Sequence, residues 1–186
     1  MKKYGKVPSS IKEIRTTISG LTYSTTPKAD GTYRLYIPDG VGTVTFEYAE
    51  SIGGPAVFHV TENIGDVVNP GDQDRENTLA CVYGETHSDL EIGGDDYIQI
   101  FRGSDHTKNL SGKVYLSDNP TDCDYKIYFL CVKGETRYDI KINMHSGGFD
   151  YVTWTNAIPP SLDATTINGT CVQRNFVVEV NGTVPS

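Results

Sequence analysis

The sequence predicts an all-β protein built from antiparallel strands, and three observations lead to this expectation. Apolar residues make up 37% and charged residues 22% of the 186 residues, while glycine (19), tyrosine (12) and proline (9) are abundant. Apolar and polar residues alternate in many short segments, which is the period of a strand with one solvated face. The chain also matches itself at an offset of 50 residues. We therefore expect a β-sandwich-like architecture built from these repeats, with a β-trefoil-like barrel as the alternative.

The internal repeat is clearest between residues 81–92 and 131–142, where seven of twelve positions are identical. The shared positions include a Cys-Val pair and a Gly-Glu-Thr triplet in each copy. The clear copies extend over about 55–100 and 112–154, with fainter traces at both ends. We expect 81–92 and 131–142 to form the same strand-turn-strand structure.

The order of alternating segments and turn residues divides the chain into an N-terminal arm, residues 1–16, and a repeat-containing all-β region, residues 17–186. The larger region is either one domain or two packed small modules. One short helix is a candidate at Ser10–Arg15, because Ser10 and Glu13 could form a capping box. Strands are predicted at 17–23, 32–37, 42–48, 56–61, 78–83, 87–92, 96–101, 113–117, 125–133, 137–142, 150–155, 170–173 and 176–181.

Net charge and hydrophobicity exclude several classes of protein. Sixteen Lys and Arg against 24 Asp and Glu give a formal charge of −8, so a nucleic-acid partner is not expected. No apolar run approaches the ~20 residues that a membrane span needs. The first residues, Met1–Val7, are basic, but no apolar segment follows them, so no Sec-type export is predicted. We therefore expect synthesis in a reducing cytoplasm.

The four cysteines lack the Cys-x-x-Cys spacing of zinc and redox sites. Cys81 and Cys131 occupy equivalent repeat positions in apolar segments, and Cys171 resembles a third copy. These three are predicted to be small core residues. Cys123, between two aspartates in a predicted turn, is expected at the surface. All four are predicted to be unoxidised thiols.

A repeated Asn-Pro-x-Asp-x-Asp pattern, at 69–74 and 119–124, is the sharpest metal hypothesis. Asp72 with Asp74, and Asp122 with Asp124, could direct carboxylate oxygens at one Ca²⁺. Asn, Pro and Asp are also ordinary turn formers, and the loops lack the glycine and distal glutamate of an EF-hand. The turn role is the one we expect, so no metal or cofactor is assigned.

No catalytic residue is predicted either. The four histidines have no two-ligand spacing and are expected to be exposed polar residues: His59, His87, His106 and His145. The nucleophile and phosphate-binding motifs of common enzymes do not occur. An aromatic platform for sugars is conceivable at Tyr97, Tyr151 and Trp154, in strands that the repeat makes equivalent, although packing is the expected role of these side chains.

These observations favour a non-enzymatic structural or decorating subunit of a larger assembly, such as a phage or virus particle. Its expected partners are proteins, including copies of itself, contacted through strand edges, loops and termini. The expected location is the virion, assembled in the host cytoplasm. The alternative is an extracellular carbohydrate-binding or adhesion module, in which a glycan is the partner.

Overall fold

The computed structural model describes residues 1–38, 40, 42–64, 75–88, 97–115, 122–143, 153–154 and 161–178. These residues confirm the all-β prediction, because strands dominate and α1, with four residues, is the one helix among them. None of the described helical residues belongs to a segment long and apolar enough to cross a membrane. The elements are β1 (Lys2–Lys6), β2 (Glu13–Ile18), β3 (Leu21–Thr25), β4 (Thr32–Tyr36), β5 (Thr43–Ala49), β6 (Ala56–Asn63), β7 (Arg75–Glu76), β8 (Leu79–Ser88), β9 (Tyr97–Arg102), β10 (Val114–Tyr115), β11 (Asp122–Leu130), β12 (Arg137–Asn143), β13 (Thr153–Trp154), β14 (Ser161–Asp163), α1 (Ala164–Ile167), β15 (Cys171–Gln173) and β16 (Phe176–Val178).

The chain forms two compact units. Unit 1 comprises residues 1–80 and 168–170, and unit 2 comprises residues 81–167 and 171–186. The boundary therefore falls inside β8, and a short return of the chain at 168–170 belongs to the first unit.

Unit 1 contains two sheets. The first has the order β4-β1-β7, in which β1 is antiparallel to β4 and parallel to β7. The second has the order β3-β2-β5-β6 and is antiparallel throughout. Strand β5 shows the expected alternation, because Val44, Phe46 and Tyr48 are buried while Thr43 and Thr45 are exposed. The buried face of β5 meets the other sheet, since the Tyr48 and Tyr33 hydroxyls are 3.0 Å apart.

The single strand predicted at 17–23 is wrong, because a hairpin turn divides it. Ser19 and Gly20 have φ values of 50° and 81°, so both central residues of the turn are left-handed. This is the conformation of a type I′ turn, whose twist matches that of the two strands it joins. Strands β2 and β3 therefore pair directly, with Ile18 opposite Leu21.

The segment expected to be an N-terminal arm contributes strands to unit 1. Residues 2–6 pair with β4 from Lys2↔Tyr36 to Lys6↔Thr32, and the boundary expected at residue 17 lies within β2. The helix proposed at Ser10–Arg15 is also wrong. Ser10 lies in a turn, and the chain is already in β2 from Glu13 onward, because Glu13 pairs with Ala49.

Unit 2 also contains two sheets. One has the antiparallel order β10-β9-β12-β14. The other has the order β11-β8-β16-β13, with β15 also pairing with β8, and both β15 and β16 run parallel to β8. Phe129 of β11 and Tyr138 of β12 are fully buried, with ring centroids 4.9 Å apart. This aromatic pair joins the two sheets.

The expectation that 81–92 and 131–142 share one structure is wrong for the described residues. Residues 81–88 lie in one uninterrupted strand, β8, whereas Cys131 follows the end of β11 and a turn contains Gly134. Gly134 has a φ of 83°, which favours glycine in that turn. Gly84 is needed for another reason, because a Cβ atom there would lie 2.1 Å from the Arg174 carbonyl oxygen. Identical residues thus satisfy different constraints in the two copies.

Candidate functional site

The calcium hypothesis falls mainly outside the described residues. Asp72 and Asp74 lie in the part of the chain that is not described. The backbone of Asp122 and Asp124 belongs to β11 and not to a turn, so that part of the turn prediction is wrong, as is the turn expected at Cys123. In the described part of the chain, no group of three or more His, Cys, Asp and Glu side chains is placed to hold a metal ion.

The prediction of four unoxidised cysteines is wrong, because Cys81 and Cys171 form a disulfide. Strands β8 and β15 are parallel neighbours and place the two cysteines opposite each other, with their Cα atoms 4.4 Å apart. Cys81 is fully buried, as predicted, but it is bonded to the cysteine that resembled a third repeat copy. Cys131 carries a thiol and is half-buried.

A cluster of charged side chains lies at one end of the β9–β12 pair in unit 2. Glu135 accepts hydrogen bonds from Arg102 Nε at 3.0 Å and from Ser104 Oγ at 2.7 Å. Asp139 lies 2.6 Å from His106 Nε2 and 3.1 Å from Arg137 Nε. The cluster consists of six side chains: Arg102, Ser104, His106, Glu135, Arg137 and Asp139.

This cluster contains serine, histidine and carboxylates, but they are not arranged for nucleophilic catalysis. That chemistry needs the histidine to take the proton of the serine hydroxyl. Here the Ser104 hydroxyl donates to Glu135, while His106 is held by Asp139. The arrangement fixes the two loops between strands, since Arg137 also donates to the Gly103 carbonyl at 2.8 Å.

Two of the four histidines can be compared with the prediction. His59 and His106 are exposed, as expected, and each lies beside a carboxylate, Glu47 and Asp139 respectively. The His87 backbone lies in β8, opposite Val177. His145 lies outside the described residues.

The charged cluster predicts acid sensitivity at Glu135. Hydrogen bonds from Ser104 and Arg102 hold the pKa of the Glu135 carboxyl below its usual value of 4.5. A lowered pKa in the folded state means that the ionised group stabilises the fold above pH 4.5 and that this contribution is lost as the pH falls. We expect Glu135→Gln to lower the free energy of unfolding at pH 7, and the difference from the native protein to shrink below about pH 4.5.

Urea unfolding at a series of pH values measures this effect. Glu85→Gln is the matched control, because Glu85 occupies the same repeat position but is exposed on β8. Its effect should be small and nearly independent of pH. A pH-independent loss in Glu135→Gln would contradict the electrostatic explanation.

The proposed aromatic platform depends on Tyr97 and Trp154 occupying equivalent strands, and their backbones lie in different sheets. Tyr97 lies in β9, whereas Trp154 lies in β13, in the other sheet of unit 2. The amino group of Lys113 lies 4.5 Å from the Tyr97 ring centroid, so a cation already occupies one face of that ring. Tyr151 lies outside the described residues. The strands of Tyr97 and Trp154 are therefore not equivalent, contrary to the repeat-based expectation.

The outward face of the β3-β2-β5-β6 sheet carries hydroxyls and charges in rows. One row contains Thr22, Thr17, Thr45 and Thr61, whose hydroxyls pair at 3.1 Å across β2–β3 and at 2.9 Å across β5–β6. In the next row Glu47 accepts a hydrogen bond from Arg15 at 2.8 Å. This face is well solvated and has no large apolar side chain among these positions, so it is typical of a solvent-facing surface.

The β5–β6 hairpin is one of the places where unit 1 exposes apolar side chains beside a sheet edge; Leu21 on β3 is another. In the described part of the sheet β6 is the last strand, next to β5. Ile52, in the turn, is 71% exposed, and Val57, at the irregular start of β6, is 39% exposed. We call Ile52, Val57 and strand β6 the hairpin edge. Sequence reasoning anticipated contacts by strand edges but did not identify which edge, because the order of strands in a sheet is not written in a single sequence.

Comparison with known proteins assigns no family. No protein-family model and no curated protein sequence matches the chain. Among solved structures it is similar to the crystal structure of a leucine-rich repeat protein from Bacteroides thetaiotaomicron VPI-5482, with a TM-score of 0.30 and 10% identity. The similarity covers 100% of this chain and 27% of that chain, so this chain spans about a quarter of the length of the matched protein. A TM-score of 0.30 is too low to transfer a fold or a function.

Proposed function

We propose that this protein is a non-enzymatic structural or decorating subunit of a larger assembly, bound there through protein–protein contacts. The observation that carries the proposal is the hairpin edge. An open strand edge offers main-chain donors and acceptors to another chain, and proteins that do not use such an edge usually protect it with charge, proline or a cover. At the start of β6, Val57 is exposed and no residue is charged, while Pro55 precedes the strand and Glu62 lies near its other end.

The paired sheets support a β-sandwich for each unit. In unit 1, Tyr33 and Tyr48 connect one sheet to the other, and in unit 2 Phe129 and Tyr138 do the same. Two sheets packed face to face have open edges, whereas a closed trefoil-like barrel has few. The sandwich is thus the architecture that fits an assembly subunit.

The disulfide bears on where the proposed assembly is found. Disulfides persist outside the reducing cytoplasm, including on virion and cell surfaces. We infer that Cys81 and Cys171 become oxidised once the assembled particle is outside the cytoplasm. An outer position on a phage or virus particle fits this inference and the formal charge of −8, which gives no attraction to packaged nucleic acid.

Incorporation of edge variants into the assembly tests the proposal. Ile52→Ser and Val57→Lys together remove the apolar contact and place a charge on the edge. We expect the variant to fold but to be incorporated at least about tenfold less, as for a loss of ~1.4 kcal/mol in binding. Leu21→Ser is the matched control, because Leu21 is 63% exposed on β3, at the opposite side of the same sheet.

The measurement is the amount of each variant that cosediments with particles from the source material. Equal incorporation of the edge variant and the control would overturn the proposed contact. Specific binding of the unassembled protein to a glycan array, with no cosedimentation, would instead support the carbohydrate-binding alternative.

A further inference from the structure

A buried lysine and a buried asparagine lie on one face of the β1–β7 pair in unit 1, and the lysine reaches a glutamate whose side chain is 26% exposed. Lys3 on β1 has no exposed surface, and its side chain forms an ion pair with Glu62 on β6. The lysine amino group also lies 4.8 Å from the centroid of the Phe46 ring. Asn77, directly after β7, is 2% exposed. A fully buried lysine is rare and costly, because its charge must be removed from water.

The strand register places Asn77 beside Lys3. Strands β1 and β7 are parallel, and Lys3 pairs with Arg75, two residues before Asn77. Residues two apart along a strand share a face, so Lys3 and Asn77 are diagonal neighbours on one side of the sheet. The main-chain N–H of Asn77 donates to the Tyr4 carbonyl at 2.8 Å, so the pairing of the two chain segments continues past the end of β7. The approach is close enough that a Cβ atom at Gly5 would lie 2.2 Å from the Asn77 carbonyl oxygen.

Two buried tyrosines hold the asparagine in place. Tyr33 donates its hydroxyl proton to the Asn77 main-chain carbonyl at 2.6 Å, so Tyr48 is the donor in the 3.0 Å contact between the two hydroxyls. Burial raises the pKa of Tyr48 to about 12. Hydrogen bonds with Tyr33 and with the Asn77 side chain act in the other direction and lower this pKa. Both main chain and side chain of Asn77 are therefore fixed by partners.

We propose that Lys3 and Asn77 react to form an intramolecular isopeptide bond, with Glu62 as the proton acceptor. The Lys3 side chain has no exposed surface, which disfavours its charged form, and its ion-pair partner Glu62 can accept the proton, leaving a neutral amine. The neutral amine is the nucleophile, and the carboxamide carbon of Asn77 is the electrophile. The reaction is favoured by the fixed positions of both groups, which make it intramolecular.

The atoms and charges of the step balance without a further reactant. The bond between Lys3 Nζ and Asn77 Cγ forms, and the bond between Asn77 Cγ and Nδ2 breaks. One proton passes from the ammonium to Glu62, and a second passes from the attacking nitrogen to the leaving nitrogen, which departs as ammonia. Ammonia then takes the proton from Glu62. The product joins the first strand of unit 1 covalently to the chain just after β7.

Intact mass measurement of the full-length, denatured and reduced protein tests the proposal. The native protein should be lighter than its sequence by one ammonia. Asn77→Asp should form the same bond by losing water and should therefore have the same mass as the native protein. Glu62→Gln and Lys3→Arg should each keep the full mass that their sequences predict. Equal masses for the native protein and Asn77→Asp would support the bond even if the Lys3 variant fails to fold, because that comparison does not use the variant.

A tryptic digest of the reduced protein locates the bond. Cleavage is expected after Lys2, Lys6, Arg75 and Arg102, so the product is a branched peptide of residues 3–6 joined to 76–102. Full unlinked masses for both the folded native protein and Asn77→Asp would overturn the proposal and leave Lys3 and Glu62 as a partly buried ion pair. An ammonia loss mapped to any other residue would overturn it as well. The inference does not depend on the proposed function, since the bond can form in a protein of any role.

Discussion

Replacement of Cys81 and Cys171 by alanine is expected to lower the free energy of unfolding by about 2–5 kcal/mol. The reason is the length of chain that the disulfide closes. The two cysteines are separated by 90 residues, and a cross-link over such a distance removes many conformations from the unfolded state. Reduction of the native protein should have the same effect, because it removes the same constraint. Urea or guanidinium unfolding, with and without reductant, measures both changes.

Peptide mapping without reductant provides the control for this prediction. Trypsin should release residues 76–102 joined to residues 142–174 through the disulfide, and residues 3–6 should remain attached to the same product through the proposed bond between Lys3 and Asn77. The double alanine variant should be insensitive to reductant. Four reactive thiols in the denatured, unreduced native protein would contradict the disulfide and restore the original expectation from the sequence.

Replacement of Phe129 by alanine is expected to cost about 3–5 kcal/mol, the usual range for truncating a fully buried phenylalanine. Phe129 has no exposed surface, and its ring lies 4.9 Å from that of Tyr138 in the opposing sheet of unit 2. The change removes dispersion contacts between the two sheets and leaves a cavity. Thermal or denaturant unfolding measures the loss.

Tyr83→Ala is the matched control for Phe129→Ala. Tyr83 lies on β8, next to β11 in the same sheet, but is 40% exposed. Its replacement should cost clearly less, because solvent already contacts the ring. Equal losses for the two variants would contradict the conclusion that Phe129 forms part of the contact between the sheets.

The fold class could be predicted from the sequence because it depends on local alternation. Val44, Phe46 and Tyr48 alternate with exposed residues on β5, and the strand forms where that pattern predicts it. The β2–β3 turn was missed although Ser19-Gly20 is a turn signal, because the flanking residues continue an apolar-polar pattern through it. The turn residues decided the structure, and the alternation did not.

The failures concern contacts between residues that are distant in sequence. The Gly-Glu-Thr triplet lies in a strand at Gly84 but includes a turn residue at Gly134. In the described structure β8 pairs with neighbouring strands along this segment, whereas the equivalent segment at Gly134 does not. The disulfide depends on the parallel pairing of β8 with β15, which no local pattern indicates. The sequence predicts a basic arm at Lys3, since nothing in the first six residues shows that β1 lies between β4 and β7.

The candidate site was predictable only in outline. Strands with one solvated face predicted exposed sheet edges. The sequence does not show that Ile52 and Val57 lie at such an edge, because this depends on the position of β6 at the end of its sheet. Lys3, Glu62 and Asn77 are far apart in the chain and come together only through the packing of two sheets. No spacing rule in the sequence could have grouped them.

The most direct test of the proposed role is to ask where the native protein is found in its source material. Sedimentation of an unperturbed preparation, followed by antibody-labelled negative-stain electron microscopy, measures this. We predict that the protein sediments with large particles and that the label lies on their outer surface at regular positions. Recovery of the protein solely as a slowly sedimenting monomer, with particles unlabelled, would contradict the assignment as an assembly subunit.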